Sequence, residues 1–134
     1  HPGEMAKFLG VATARVQENR IQCAQKFARL YQFVCVLKGA KTLVSDGNKV
    51  YLNSTGNPGM ATGGSGDVLA GLIAALIGQI PESPTCLLRA ACVGVYVHGL
   101  SGDLAAKEKT EIAMIAGDIA EKIPDAFKEL QRNK

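Results

Sequence analysis

The sequence predicts an α/β domain whose sheet is incomplete, on three observations. The apolar run Phe33-Val-Cys-Val-Leu37 has the length and composition of a strand buried on both faces. Segments on either side carry apolar residues at helical spacing. A glycine-rich stretch from Thr55 to Asp67 runs directly into an apolar segment starting at Val68, an arrangement that points backbone N–H groups at an anion from a helix N-terminus.

Taken in order, residues 4–9 are expected as a short helix and Thr13 to Tyr31 as a second. Ala24, Phe27, Ala28 and Tyr31 fall at i, i+3, i+4, i+7 and mark its buried stripe. The apolar run follows as an interior strand of a parallel sheet, closed by Lys38-Gly39. Thr42–Ser45 and Lys49–Asn53 around Asp46-Gly47 read as a hairpin. After the glycine stretch, a helix from about Gly66 to Gln79 places Val68, Leu69, Leu72, Ile73, Leu76 and Ile77 on one face, and Pro81 and Pro84 break it. A long helix is expected from about Thr85 to Lys107. Another, from about Ala113 to Ile123, has Ile112, Ile115, Ala116, Ile119, Ala120 and Ile123 in phase; Pro124 ends it and a short polar tail helix follows.

No repeat or linker interrupts residues 1–134, which read as a single domain or part of one. A parallel strand needs parallel neighbours joined by crossovers of about a dozen residues or more, and the sequence offers one convincing core strand. The expectation is therefore the C-terminal part of a larger α/β domain, or a chain that pairs with another carrying the missing strands. The opening on His1-Pro-Gly-Glu4, without an initiator methionine, suggests processing or truncation.

Composition excludes several classes. Hydrophobic content of 47% against 20% charge fits a folded globular protein rather than a disordered one. A net charge of +3, with basic residues scattered and few aromatics beside them, argues against nucleic acid as the main partner. No apolar segment reaches the roughly 18 residues that span a bilayer, so no membrane partner is expected. Cys23, Cys35, Cys86 and Cys92 form no CxxC pair and have no histidine at metal-ligand spacing. They read as small buried hydrophobes in a reducing, cytoplasmic compartment.

The glycine stretch carries the chemistry. It is not a Walker A loop, since no Gly-Lys-Ser/Thr follows. A dinucleotide fingerprint fails because Leu69 stands at the third glycine position, and a nucleophile elbow fails because Asp67 stands where glycine is required. A plain N-cap, with Ser65 or Asp67 as the cap, is the structural alternative, but a cap needs one residue rather than this whole loop. A carboxylate beside an anion site binds the anion poorly and is well placed as a base, so the pairing points to phosphate chemistry at a hydroxyl group.

The run Asn57-Pro-Gly-Met-Ala-Thr-Gly-Gly-Ser-Gly-Asp-Val-Leu-Ala-Gly71 resembles the signature of the ADP- or ATP-dependent NAD(P)H-hydrate dehydratases, of the ribokinase-like superfamily. His1-Pro-Gly-Glu-Met5, Val36-Leu-Lys-Gly-Ala40 with Thr42, and His98–Ala105 agree with it in order. The resemblance covers nearly the whole chain but only the C-terminal half of a typical member. Ser101, Ala113 and Gln79-Ile80 depart from common family residues away from the proposed chemistry.

The resemblance implies a ribokinase-like three-layer αβα fold and repair of hydrated NADH or NADPH. In such enzymes a nucleotide phosphorylates the ring hydroxyl, phosphate is eliminated, and the double bond returns. It implies Asp67 as the base that takes the acceptor proton and as a substrate contact, with Gly63, Gly64, Ser65 and Gly66 as an anion hole. It further implies Gly66, Lys38, Gly39, Ala40, Lys41 and Thr42 as nucleotide contacts and His1 as a contact of the hydrated nicotinamide nucleotide. Lys38–Thr42 stands at the carboxyl end of the apolar strand, where open α/β sheets bind ligands; an ordinary strand-to-turn connection is its structural alternative.

ADP or ATP would be the co-substrate, and Mg²⁺ would come with its phosphates, with no metal ligands from the protein. A homo-oligomer and an epimerase domain or partner are compatible with the resemblance. His98, on an apolar helix, reads as a packed, hydrogen-bonded residue or one at a subunit contact. Asp103 and Asp118 read as helix-surface or capping residues, and Glu4 as a helix N-terminal charge. Two other readings stay open: a small-molecule kinase of the same superfamily acting on a vitamin precursor or sugar, and a non-catalytic nucleotide-binding module.

Overall fold

The computed structural model describes residues 1–132. The N-terminal layer comprises α1 (Pro2–Leu9), α2 (Thr13–Glu18) and α3 (Arg20–Tyr31). The sheet holds β1 (Cys35–Leu37), β2 (Leu43–Ser45) and β3 (Val50–Leu52), and a 3₁₀ turn at Pro58–Met60 leads toward α4 (Ser65–Ile77). Then come α5 (Cys86–Ala113), α6 (Ala116–Glu121) and α7 (Ile123–Arg132).

Strand alternation sorts side chains into two helical layers. Cys35, Leu37 and Leu43 face α1–α3, burying with Met5, Ala6, Val16, Ala24 and Ala28. Val44 faces the other way, against Leu69 of α4 and Ala91 and Val95 of α5, with Val34 and Val36 half-buried beside them. The result is the expected three-layer order, helix on sheet on helix. Each fully buried Leu or Val on these faces contributes about 1.5–3 kcal/mol. Burial also pushes the Cys35 thiol up to about 11, so it stays protonated and packs as a small hydrophobe.

The strand expected to be parallel is not so among the described residues. β1 pairs β2 antiparallel, with Val36 opposite Val44, and the sheet order is β1-β2-β3. Lys38–Thr42 is too short for a parallel crossover, so the chain must turn back. The second edge of β1 carries no strand among the described residues. The expected hairpin forms, Ser45 opposite Val50, and Asp46 Oδ1 accepts from the amides of Asn48 (2.9 Å) and Lys49 (2.7 Å).

Four helix expectations need correction. Thr13–Tyr31 is broken at Asn19 (φ −130°, ψ 42°), whose side chain donates to the Arg15 carbonyl, the local competition that makes Asn a helix breaker. The helix that begins near Thr85 continues to Ala113, with a non-helical Thr110 (φ 68°, ψ 158°) inside it. The helix expected over Ala113–Ile123 is instead α6, which starts at Ala116, and Ile112 is 98% exposed rather than in a buried stripe. Pro124 does not end a helix; it stands in the first turn of α7, where its missing N–H costs nothing. No helix among the described residues is long and apolar enough to cross a membrane.

Candidate active site

The glycine loop is laid along α5. Asn53 Nδ2 donates to the Val95 carbonyl (3.1 Å) and Thr55 Oγ1 to the Tyr96 carbonyl (2.8 Å). Asp103 accepts from the Gly56 amide (2.9 Å) and from Asn57 Nδ2 (3.0 Å), and Asn57 Oδ1 accepts from the Gly59 amide, capping the 3₁₀ turn. This approach requires glycine on the helix: a Cβ at Gly99 would meet Thr55 Oγ1 at 2.2 Å and the Thr55 carbonyl carbon at 2.7 Å. Met60 and Val68 then seat the end of the loop on Ala105, Met114 and Ile119.

At the end of the loop Gly64 takes φ 86° as the N-cap of α4, with no side-chain cap, a left-handed conformation that costs an L-residue about 1–2 kcal/mol. Neither Ser65 nor Asp67 caps this helix, so the plain capping alternative fails. Among the described residues the amides of Gly63, Gly64 and Gly66 find no backbone acceptor, which leaves unpaired N–H groups at a helix N-terminus.

The opposite wall is the turn after β1. Arg20 of α3 donates to three carbonyls there: Ala40 (2.5 Å), Leu37 (3.2 Å) and Lys41 (3.4 Å). It holds Lys41 at φ 54°, an uncommon conformation for a non-glycine residue. Thr42 Oγ1 closes the turn on the Gly39 carbonyl (3.2 Å). The Lys38 side chain crosses to the loop, so that a Cβ on Gly66 would lie 2.7 Å from Lys38 Nζ. An ammonium thus stands beside Gly66, next to a helix N-terminus that carries partial positive charge of its own.

Between the walls lies a cleft of about 790 Å³, lined by His1 and Pro2, Lys38–Thr42, Asn53–Pro58, Met60–Thr62, Ser65, Gly66, Leu69, Val95, His98 and Gly99, within the range of small-molecule sites. Of the sequence-predicted residues, His1, Lys38, Gly39, Ala40, Lys41, Thr42, Ser65 and Gly66 meet on this cleft. Gly63 and Gly64 stand in the turn just before it. Asp67 is exposed on the first turn of α4 and is not on the cleft wall; at 3.6 residues per turn it points about 100° away from Gly66. A second, more open cavity of about 660 Å³ lies between α1 and the start of α2, and His1 borders both. His1 also caps α1, its Nδ1 accepting from the Gly3 amide (3.1 Å), with Glu4 completing the capping box.

His98 is a packed, hydrogen-bonded residue, as expected: its Nε2 lies 3.0 Å from the Ser65 carbonyl oxygen. Burial lowers its pKa below 6.5; the Lys38 charge lowers it too, and the Ser65 carbonyl opposes both. Asp118 caps α6 by accepting from the Ile115 amide. Asp103 is not the surface or capping residue expected but an anchor of the loop. Sequence reasoning also missed Arg20, whose acceptors lie 17 to 21 positions away with no local pattern to mark them.

The αβα framework, with free amides at a loop-to-helix junction facing a basic turn, is that of the ribokinase-like class of α/β proteins. A sequence profile described as NAD(P)H-hydrate dehydratase matches residues 1–125, and the chain belongs to that family. It is 49% identical over 133 residues to a bifunctional NAD(P)H-hydrate repair enzyme of Moorella thermoacetica, covering 98% of this chain and 24% of that protein. An ADP-dependent (S)-NAD(P)H-hydrate dehydratase of Neisseria meningitidis is 43% identical, over 90% of this chain and 40% of that protein. The crystal structure of the Bacillus subtilis ADP/ATP-dependent NAD(P)H-hydrate dehydratase with ATP/Mg²⁺ and CoA superposes with a TM-score of 0.89 at 31% identity, over 96% of this chain and 47% of that one. The chain therefore spans about a quarter to less than half the length of these relatives.

Proposed function

We propose that this chain supplies the nucleotide half of an enzyme that uses ADP or ATP to dehydrate hydrated NADH or NADPH, a carbon–oxygen hydro-lyase of metabolite repair. The observation that carries the reading is the free Gly66 amide at the N-terminus of α4, with the Lys38 ammonium beside Gly66 and a carboxylate one residue on.

Lys38–Thr42 and Gly66 hold the nucleotide across the cleft. The amides of Gly63, Gly64 and Gly66, with Ser65 between them, form the anion hole for the phosphoryl group in transfer. Donors preorganised on developing charge are usually the largest catalytic contribution. Asp67, outside the nucleotide cleft, faces the acceptor: it takes the proton as the ring hydroxyl oxygen bonds to phosphorus and the nucleotide leaves. Elimination of that phosphate with a ring proton restores the carbon–carbon double bond. His1 at the cleft border contacts the hydrated nucleotide.

Among the described residues that line the cleft the polar groups are amides, hydroxyls, lysines and histidines, and Mg²⁺ would arrive with the nucleotide phosphates. When bound, the ion neutralises phosphate charge. A cytoplasmic location fits four cysteines that are all free. The resemblance adds an epimerase domain or partner, in keeping with relatives named bifunctional.

In the full-length protein carrying this chain, Asp67→Asn is expected to lower kcat for hydrated NADH by about 10²–10⁴-fold. ADP affinity by calorimetry should change less than about threefold, because uniform binding is untouched. An unchanged kcat removes Asp67 as the base.

A further inference from the structure

The reaction as described makes no use of His98, although it is buried at 8% exposure, lines the cleft and touches the anion loop. Its Nε2 sits 3.0 Å from the Ser65 carbonyl oxygen and 3.4 Å from Ser65 Oγ. A carbonyl can only accept, so Nε2 carries the proton and donates. The Ser65–Gly66 peptide is planar and trans, which sets its C=O and the Gly66 N–H antiparallel. A donor that pins the Ser65 carbonyl therefore also aims the Gly66 N–H.

That N–H has no backbone acceptor, and Lys38 Nζ lies beside the same residue. Ser65 is the first residue of α4, so the helix sets the direction of this peptide; with no side-chain cap at Gly64, His98 is the side chain that holds it from outside the helix. His98 is rigidly placed for this, since the same stretch of α5 holds the loop through the Val95 and Tyr96 carbonyls and the close approach at Gly99.

We infer that His98 is a positioning residue of the anion hole, acting through the Ser65 carbonyl to aim the Gly66 amide at the phosphoryl group in transfer. The inference rests on the function proposed above. It assigns a task in the transition state to a residue that otherwise reads as packing.

The test compares His98→Ala and His98→Gln with the parent in the full-length protein. The readouts are kcat for hydrated NADH, ADP affinity by calorimetry and the ¹⁵N-resolved Gly66 amide resonance. Misaiming one donor is expected to lower kcat of His98→Ala about tenfold or more, while ADP affinity changes less than about threefold. His98→Gln, whose amide can donate to the same carbonyl, should recover kcat to within about threefold of the parent and restore the Gly66 resonance. A His98→Ala kcat within about twofold of the parent overturns the proposal, as do equal losses in kcat and ADP affinity. A Gln variant as impaired as Ala overturns it too. The resonance is read without turnover, so a normal Asp67→Asn rate would defeat the proposed function while the Gly66 signal still decides on His98.

Discussion

The two walls of the cleft are held in different ways. The Lys38–Thr42 wall depends on one distant side chain, the Arg20 guanidinium, which gathers three carbonyls of a turn that contains an uncommon Lys41 conformation. The Thr55–Gly66 wall is held mainly along α5 by neutral bonds and close packing, with Asp103 as a charged anchor there and Met114 and Ile119 beneath its end. Each would suit the ligand part proposed for it: a turn held from one point can adjust to a nucleotide, whereas an anion hole works only if its donors do not move during transfer.

The largest break in the comparison comes from the packed wall. Gly99→Val places carbon where Thr55 Oγ1 and backbone already stand, and should cost about 1–3 kcal/mol in urea unfolding and cripple turnover with it. A variant as stable and active as the parent would show that the loop is not anchored on α5. Arg20→Lys probes the other wall. It keeps the charge but loses the planar fork that reaches several carbonyls, so ADP should bind about tenfold more weakly, with kcat at saturating nucleotide nearly unchanged. Equal effects on kcat and affinity would erase the distinction between the walls.

The smallest effect is a pH dependence at the junction of the two walls. Burial, with help from Lys38, holds His98 below its ordinary 6.5, so folding favours the neutral ring. Its contribution to stability is full above pH 6.5 and is lost as pH falls from there through the lowered folded value, because the unfolded chain binds the proton more readily. Urea midpoints at about pH 7.5 and about pH 5 should show this decline, and His98→Gln should flatten it. An identical slope in that variant assigns the decline to other groups.

Much of the site was legible because its chemistry is local. The glycine run, the helix behind it and the strand before Lys38 all carry their signals in consecutive residues. Asp46-Gly47 likewise fixed its hairpin through short side-chain-to-backbone bonds. What was not legible depends on distant partners. Arg20 and Asp103 act on segments tens of residues away or nearly so, and nothing in their neighbours announces it. The apolar run indicated a strand, but it is shorter than expected and buried fully on one face only, with Val34 and Val36 half-buried and Phe33 exposed. Pairing direction was not legible, since the strand reached by the short turn runs antiparallel. Pro124 misled because the same residue that stops one helix is favoured in the first turn of the next.

The central claim is that this cleft transfers a phosphoryl group which is then expelled. Its most direct measurement follows phosphate by ³¹P NMR and NADH absorbance together, as the full-length protein consumes ADP or ATP with hydrated NADH. One free phosphate should appear for each NADH restored, with no stable phosphorylated acceptor. A phosphorylated product that persists, or NADH restored without nucleotide consumption, would contradict the account.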